Sequence, residues 1–262
     1  MYRHYFIGIS LFLISCSVED LAYENDLDPQ NPEFTEPQTT LKPVSSDNFS
    51  KSSFVVEWQG SISSMEFRHK LDQKAWSEWE IQTSTTLNYL DEGSHLFLVQ
   101  GRYLSGYMEA TPDSLAFTTD AVTGPALRIA PLYKEATNGD AFTVDIMAED
   151  LSNVAGAEIL ILFDASVLAY QSIDKGEFFG RAQGLVLEIT KLKASNLLQI
   201  DIGAYNGTLP AASGTGVIAT IHFNTLKVGQ STLVLQQDCS LRDKDNNVLN
   251  YNSLVNGLVD VK

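Results

Sequence analysis

The sequence predicts an all-β protein made of two consecutive β-sandwiches. Three observations favour this fold class. Short segments with apolar residues at every second position recur along the chain, a five-residue apolar run occupies positions 159–163, and a Gly124-Pro125 break separates two groups of strand-like segments. With 262 residues the chain is long enough for two modest domains, each with its own core. The expected division is a signal peptide at 1–15, a tether at 16–43, and sandwiches at 44–120 and 124–262.

The net charge and the cysteine content exclude some classes of protein. The chain carries 33 acidic and 17 basic residues, a formal charge of −16, so it is poorly suited to neutralising phosphates and is not expected to bind nucleic acid. Cys16 and Cys239 are the two cysteines, and no disulfide framework is expected. Because Cys239 ends an apolar strand, we expect it to be a buried thiol.

The N-terminus has the features of an export signal. Arg3 precedes an apolar run at 5–14 that is too short to span a membrane. The run ends in Leu13-Ile-Ser-Cys16, which resembles the lipobox of bacterial lipoproteins. The resemblance implies that Cys16 becomes the lipidated N-terminus of the mature protein, with an ordinary cleaved signal as the alternative.

The residues after Cys16 predict a surface location and a tether. Ser17 replaces the aspartate that resembles an inner-membrane retention signal, and the acidic pair Glu19-Asp20 follows. These residues favour an outer-membrane or cell-surface destination. Between positions 22 and 43 the chain has four prolines, five acidic residues and almost no apolar periodicity. Such a segment is expected to be an extended tether.

The first sandwich is expected to contain about seven short strands. Phe54-Val-Val-Glu-Trp58 alternates as a strand does, and the segments 67–79 and 93–99 resemble those of immunoglobulin-like modules in bacterial surface proteins. Trp58 is expected in the core. Trp76 and Trp79 flank a turn, so one of them is a candidate for an exposed platform that stacks on sugars, although core packing is the more frequent fate of tryptophan.

The second sandwich is centred on the apolar run at 159–163. By period two, Ile159, Ile161 and Phe163 share one face of a strand. Glu158, Leu160 and Leu162 share the other. Because both faces are apolar, one fills a core and the other needs a second cover, either part of the same chain or a partner protein.

Several segments of this second sandwich resemble cohesin domains in the order in which that family has them. They are Gly156-Ala-Glu158 with its apolar run and Phe163-Asp-Ala-Ser-Val-Leu168, then Gly214-Thr-Gly-Val-Ile218, Gly229-Gln-Ser-Thr-Leu233 and the hairpin at 241–249. The resemblance implies a nine-stranded jelly roll. It also implies a protein-binding module, because cohesins bind the small dockerin modules carried by polysaccharide-degrading enzymes.

The same resemblance implies a partner-binding face. In cohesins the sheet that contains the third strand meets the dockerin, and the acidic residue that opens this strand takes part; Glu158 matches it, and Leu160 and Leu162 follow on the same face. The neighbouring strand at 197–203 alternates apolar residues with Gln199 and Asp201, which extend the face. The alternative is that loops of the chain cover this face.

No enzyme, metal site or cofactor is expected. The four histidines are scattered, and no motif for a nucleophile, a zinc site or a phosphate loop occurs. Asp243, Asp245 and Asn247 fit the first positions of a calcium loop, but Val248 and Leu254 occupy its glycine and glutamate positions, so a polar turn is the simpler interpretation. Direct polysaccharide binding and a purely structural spacer remain the alternatives to a dockerin partner.

Overall fold

The computed structural model describes residues 25–182, 185–205 and 211–262, and nearly all of its regular structure is β. Cys16 and the export signal lie outside these residues. Two short 3-10 helices, Ser46–Asn48 and Phe179–Ala182, interrupt the strands. Within the described residues no helix is both long and apolar enough to cross a membrane. The all-β prediction is therefore confirmed.

The first part of the chain forms six strands, β1 to β6, in two three-stranded sheets of order β1-β2-β4 and β3-β5-β6. Apolar side chains at alternate positions of both sheets build one core, in which Trp58 is only 2% exposed, as predicted. The strands are Thr39–Leu41, Phe54–Gly60, Met65–Leu71, Ser84–Leu87, Gly93–Tyr103 and Asp113–Thr119.

The segment expected to be a tether is packed onto this first sandwich from residue 25 onward. Its last part forms β1, which pairs antiparallel with β2. Phe34 contacts the rings of Tyr103 and Tyr107 edge to face, with centroids 6.3 and 4.9 Å apart. The structure thus differs from the expectation of an extended chain up to Pro43, because an apolar residue between prolines and an N-terminal strand find partners that local composition does not reveal.

The second part of the chain contains thirteen strand segments, β7 to β19, among the described residues, more than the nine expected. Short pieces near the C-terminus account for several of them. The strands are Ala126–Ala130, Tyr133–Ala136, Ala141–Val154, Gly156–Leu162, Leu168–Lys175, Leu185–Ala194, Leu197–Tyr205, Ala212–Thr225, Gly229–Leu235, Ser240–Arg242, Val248–Leu249, Ser253–Val255 and Gly257–Val261.

These segments form two sheets around one core. One sheet has the order β11-β14-β9-β7-β18, and the other has the order β12-β13-β10-β15-β19-β8, with β16 and β17 attached to β10. The inward-facing residues of both sheets belong to a single apolar cluster that shares no residue with the core of the first sandwich. Among the described residues β12 is the outermost strand of its sheet, so one of its edges has no described strand beside it.

Candidate functional site

The candidate site is the outer face of β12, β13 and β10, at the open edge of the second sheet. On β13 the apolar residues Leu198, Ile200 and Ile202 are at most 4% exposed and face the core, as the alternation predicts. Because side chains alternate along a strand, Gln199 and Asp201 lie on the opposite face. The register places Asp201 beside Glu158 of β10.

Gln199 holds the two acidic side chains of this face together. Its Nε2 donates to Oε1 of Glu158 at 2.9 Å and to Oδ1 and Oδ2 of Asp201 at 2.8 and 3.0 Å. Gln199 is 6% exposed, and its Oε1 has no hydrogen-bond partner in the part of the chain that the structure describes. A buried acceptor without a donor is costly, and this cost is offset by the two carboxylate contacts that the same side chain makes.

An exposed apolar stripe lies next to this polar centre, on β12. Leu185, Leu187 and Ile189 occupy alternate positions and are 64%, 53% and 64% exposed. Ile189 lies directly across from Asp201 in the ladder, so the stripe and the acidic pair share one face. Sequence reasoning missed this stripe. Its signal, alternation in Leu-Val-Leu-Glu-Ile, is present, but alternation is normally read as a face turned toward a core.

The two leucines predicted on this face are less accessible than expected. Leu160 is 5% exposed and belongs to the apolar core, while Leu162 is half-buried. Residues 236–239, which follow β15, lie beside the backbone of Leu160. The N–H of Leu160 donates to Sγ of Cys239 at 3.3 Å, and the carbonyl of Leu160 accepts from the N–H of Gln236 at 2.9 Å. Leu160 is therefore a buried core residue whose backbone pairs with a segment distant in sequence.

Cys239 is the buried free thiol that the sequence predicts. It is 5% exposed, and burial raises the pKa of its thiol despite hydrogen bonds from the N–H groups of Leu160 and Gln236. A thiol with a raised pKa is a weak nucleophile. Cys239 thus has a packing role beside Leu160.

The arrangement is suited to binding. Carboxylates accept hydrogen bonds and do not donate them, so Glu158 and Asp201 together form an acceptor-rich centre beside an apolar stripe. Lys191, exposed and opposite Gln199 in the ladder, makes no ion pair among the described residues. A complementary partner would bring apolar side chains for the stripe and a hydrogen-bond donor for the centre.

The calcium-loop candidate at 243–247 has a structural role. Oδ1 of Asp243 accepts from the N–H groups of Asp245 and Asn247 at 2.9 and 2.8 Å, which closes the turn between β16 and β17. Asn246 adopts a φ of 66°, a conformation that asparagine tolerates. Residues 243–247 therefore form a polar turn. No group of three or more His, Cys, Asp or Glu side chains within the described ranges is arranged to hold a metal ion.

The second sandwich is similar to a known family of domains. Residues 133–261 match the family model of the cohesin domain. No curated protein matches the chain.

The solved structures similar to this chain include cohesins from several organisms. The sixth cohesin of scaffoldin B from Acetivibrio cellulolyticus, solved with a Cel5 dockerin mutant, is 19% identical over 53% of this chain and all of that one, with a TM-score of 0.46. A non-cellulosomal cohesin from Archaeoglobus fulgidus is 17% identical over 52% of this chain and 90% of that one, with a TM-score of 0.44. A type I cohesin–dockerin complex from Clostridium thermocellum is 16% identical over 52% and 98%, with a TM-score of 0.44.

Proposed function

We propose that the second sandwich is a non-catalytic binding module that takes a dockerin-type partner on the outer face of β12, β13 and β10. The family match over residues 133–261 supports a protein-binding module of this kind. The observation that carries the location is the exposed stripe of Leu185, Leu187 and Ile189 on the same face as the acidic pair Glu158 and Asp201.

Energetics favour a macromolecular partner for this face. Three aliphatic side chains that are 53–64% exposed would each contribute roughly 1–2 kcal/mol if fully buried by a partner. The acidic pair Glu158 and Asp201 adds specificity, because a partner without a matching donor would bury these carboxylates unpaired.

A binding assay with paired variants tests this proposal. Leu187→Asp and Ile189→Asp replace exposed side chains, so we expect an unchanged melting temperature. Binding to recombinant dockerin modules encoded by the same organism should weaken at least about tenfold, because each variant removes an apolar contact and places a charge in the interface. Val55→Asp is the matched control, since Val55 is 51% exposed on the first sandwich.

The result separates the alternatives. Loss of binding in the two β12 variants but not in Val55→Asp supports the proposed face. Equal binding by all variants contradicts it. If the parent binds no dockerin but binds a polysaccharide, the runner-up function replaces the proposal, and if it binds neither, the sandwich is a structural spacer.

We further propose that the protein is anchored at Cys16 to the outer membrane or cell surface. The support is the Leu13-Ile-Ser-Cys16 motif at the end of a short apolar run. Multiple acyl chains on one cysteine hold a protein stably, whereas a single chain does so only marginally. Cys16→Ala should release the protein into the soluble fraction. A variant that sediments with outer membranes as strongly as the parent would show that the anchor lies elsewhere.

A further inference from the structure

The first sandwich contains two clusters of charged and aromatic side chains. In one of them, the Cζ of Arg68 lies 4.7 Å from the ring centroids of both Trp76 and Trp79. These side chains contact each other, and neither indole is the free stacking platform considered from sequence. The other cluster surrounds His95 of β5 and lies where the first sandwich meets the second.

Both ring nitrogens of His95 face oxygen atoms that accept hydrogen bonds. Nδ1 lies 2.9 Å from Oδ2 of Asp72, and Nε2 lies 2.8 Å from the backbone carbonyl oxygen of Asp91. A neutral imidazole has one N–H group and one lone pair, so it donates only one of these bonds, whereas the imidazolium donates both. The arrangement therefore fits a protonated His95. The side chain is 10% exposed, so little water reaches the ring to replace either bond.

The charges that act on His95 are carboxylates. They belong to Asp72, in the turn after β3, and to Asp91, in the turn before β5. β6, which is paired with β5 at this position, contributes the ring of Phe117, with centroids 5.3 Å apart. Lys74, in the same turn as Asp72, lies instead against a tyrosine ring of the second sandwich. Burial lowers the pKa of His95, but the hydrogen bonds and charges of Asp91 and Asp72 outweigh it, so the pKa is raised.

The turn that His95 holds also carries contacts to the rest of the molecule. Oδ1 of Asp91 accepts from the N–H of Leu132 in the second sandwich at 2.7 Å. Oε1 of Glu92 accepts from the N–H groups of residues 121–122, in the connecting segment, at 2.9 Å each. The backbone of this turn is therefore held by His95, while its side chains hold the second sandwich and the connection to it.

We propose that His95 is a proton-operated latch on the junction between the two sandwiches. When His95 is protonated, it holds the Asp91 backbone, and the contact of Asp91 with Leu132 is made. When the ring loses the proton on Nε2 to solvent, the remaining N–H stays on the Asp72 carboxylate, because a charged acceptor binds it more strongly than a carbonyl does. The lone pair on Nε2 then faces the Asp91 carbonyl oxygen. Two lone pairs at this distance repel, so the turn moves and the Leu132 contact weakens.

The direction of the pH dependence follows from the raised pKa. The stabilisation by the latch is fully present below 6.5, the ordinary pKa of histidine, and is lost as the pH rises through the pKa of His95 in the folded chain. The orientation of the second sandwich is then fixed in mildly acidic solution and less restricted in alkaline solution. The direction in which the face of β12, β13 and β10 points changes with it, whichever partner this face binds.

An NMR titration of the full chain with base tests the latch. The Cε1–H resonance of His95 should titrate with a midpoint above 6.5, and the amide resonance of Leu132 should shift with the same midpoint. Above this midpoint the rotational correlation time from amide relaxation should decrease in both sandwiches, because they no longer tumble as one body.

His95→Gln identifies the group that titrates. Glutamine keeps an N–H donor but has no proton to lose, so the shift of the Leu132 amide at this midpoint should disappear. This variant is needed because burial also raises the pKa of the Glu92 carboxyl at the junction. His222→Gln is the matched control. It removes another histidine paired with a carboxylate, 2.8 Å from Asp174 on the second sandwich, and should leave the Leu132 titration unchanged.

Asp72→Asn tests the latch without replacing the histidine. The Oδ1 of asparagine can accept from the N–H of Leu96, as that of Asp72 does at 2.8 Å, so the turn keeps this bond. The charge that favours the imidazolium is lost, so the midpoints of His95 and of the Leu132 amide should move together to lower pH.

Four results would overturn the proposal. A His95 midpoint at or below 6.5 would mean that the protonated ring is not favoured by its surroundings. A Leu132 amide that does not shift at the His95 midpoint would mean that the turn does not respond to the proton. A shift that persists in His95→Gln would assign the titration to Glu92 or another carboxyl. A constant correlation time across the midpoint would mean that the junction stays closed in both states of His95.

Discussion

Replacing Leu160 by aspartate is expected to unfold the second sandwich. Leu160 is 5% exposed and has no charged partner, so the variant would bury a carboxylate without compensation. The cost is several kcal/mol, comparable to the whole free energy of unfolding of a small domain. Thermal unfolding followed by circular dichroism measures it.

Leu187→Asp is the matched control for Leu160→Asp. Leu187 is 53% exposed on the same face, so the same change of side chain should leave the melting temperature within about 2 °C of the parent. If Leu160→Asp also melts like the parent, Leu160 is not buried in solution and the predicted outward position is restored.

At the scale of elements, β1 is held on its free edge by two carboxylates. The N–H of Thr39 donates to Oε2 of Glu109 at 2.7 Å, and the N–H of Leu41 donates to Oδ2 of Asp113 at the same distance. Glu109 is 5% exposed, and its Oε1 accepts from the N–H of Gly101 at 2.6 Å. A strand at the end of a proline-rich segment is thus integrated into the sandwich by side chains far along the sequence.

Glu109→Gln should loosen β1. The amide has one oxygen, so its NH₂ group would face a backbone N–H, and we expect a loss of about 1–3 kcal/mol in the free energy of unfolding. Hydrogen exchange at the Thr39 and Leu41 amides should accelerate more than exchange in β5. Glu33→Gln, on the exposed surface of the same segment, is the control. Unchanged exchange at Thr39 would show that β1 does not depend on Glu109.

Strands with one clear apolar face could be predicted from sequence, and edge positions could not. On β13 the alternation alone places Leu198, Ile200 and Ile202 in the core, because polar neighbours exclude the other orientation. On β12 the same alternation leaves Leu187 exposed, because the strand is the last in its sheet. The position of a strand within a sheet depends on long-range pairing, which the local pattern does not contain.

A strand that is apolar on both faces is ambiguous for a related reason. The run at 159–163 predicts a buried strand, and Ile159 and Ile161 are fully buried. Leu160 belongs to the core, and its backbone pairs with residues 236–239, more than seventy positions away, which the local pattern does not contain. The acidic pair of the candidate site was predictable from the alternation and the resemblance, whereas the role of Gln199 between the two carboxylates required the register.

At the scale of the whole molecule, the two sandwiches are joined by specific contacts. The rings of Tyr89 and Tyr133 stack with centroids 5.7 Å apart, and Nζ of Lys74 lies 5.7 Å from the Tyr133 ring. The N–H of Leu132 donates to Oδ1 of Asp91 at 2.7 Å. Glu92 accepts from two N–H groups of the connecting segment, and burial raises the pKa of its carboxyl despite these bonds.

These contacts lead to a defined expectation for the isolated second sandwich. Residues 124–262 have their own core, so the fragment should fold. It loses the partners of Tyr133 and Leu132, a hydrogen bond and a ring contact that together contribute about 1–3 kcal/mol. Its melting temperature should therefore lie roughly 3–10 °C below that of the same transition in the full chain.

Tyr89→Ala in the full chain distinguishes the loss of the Tyr133 ring contact from the other consequences of removing the first sandwich. The variant removes the ring contact from the side of the first sandwich and leaves the second sandwich unchanged in sequence, so it should reproduce part of the decrease. A fragment that stays unfolded by circular dichroism would mean that the second core is incomplete without the first sandwich. A fragment that melts with the full chain would mean that the contacts of Tyr133 and Leu132 orient the two sandwiches without stabilising either.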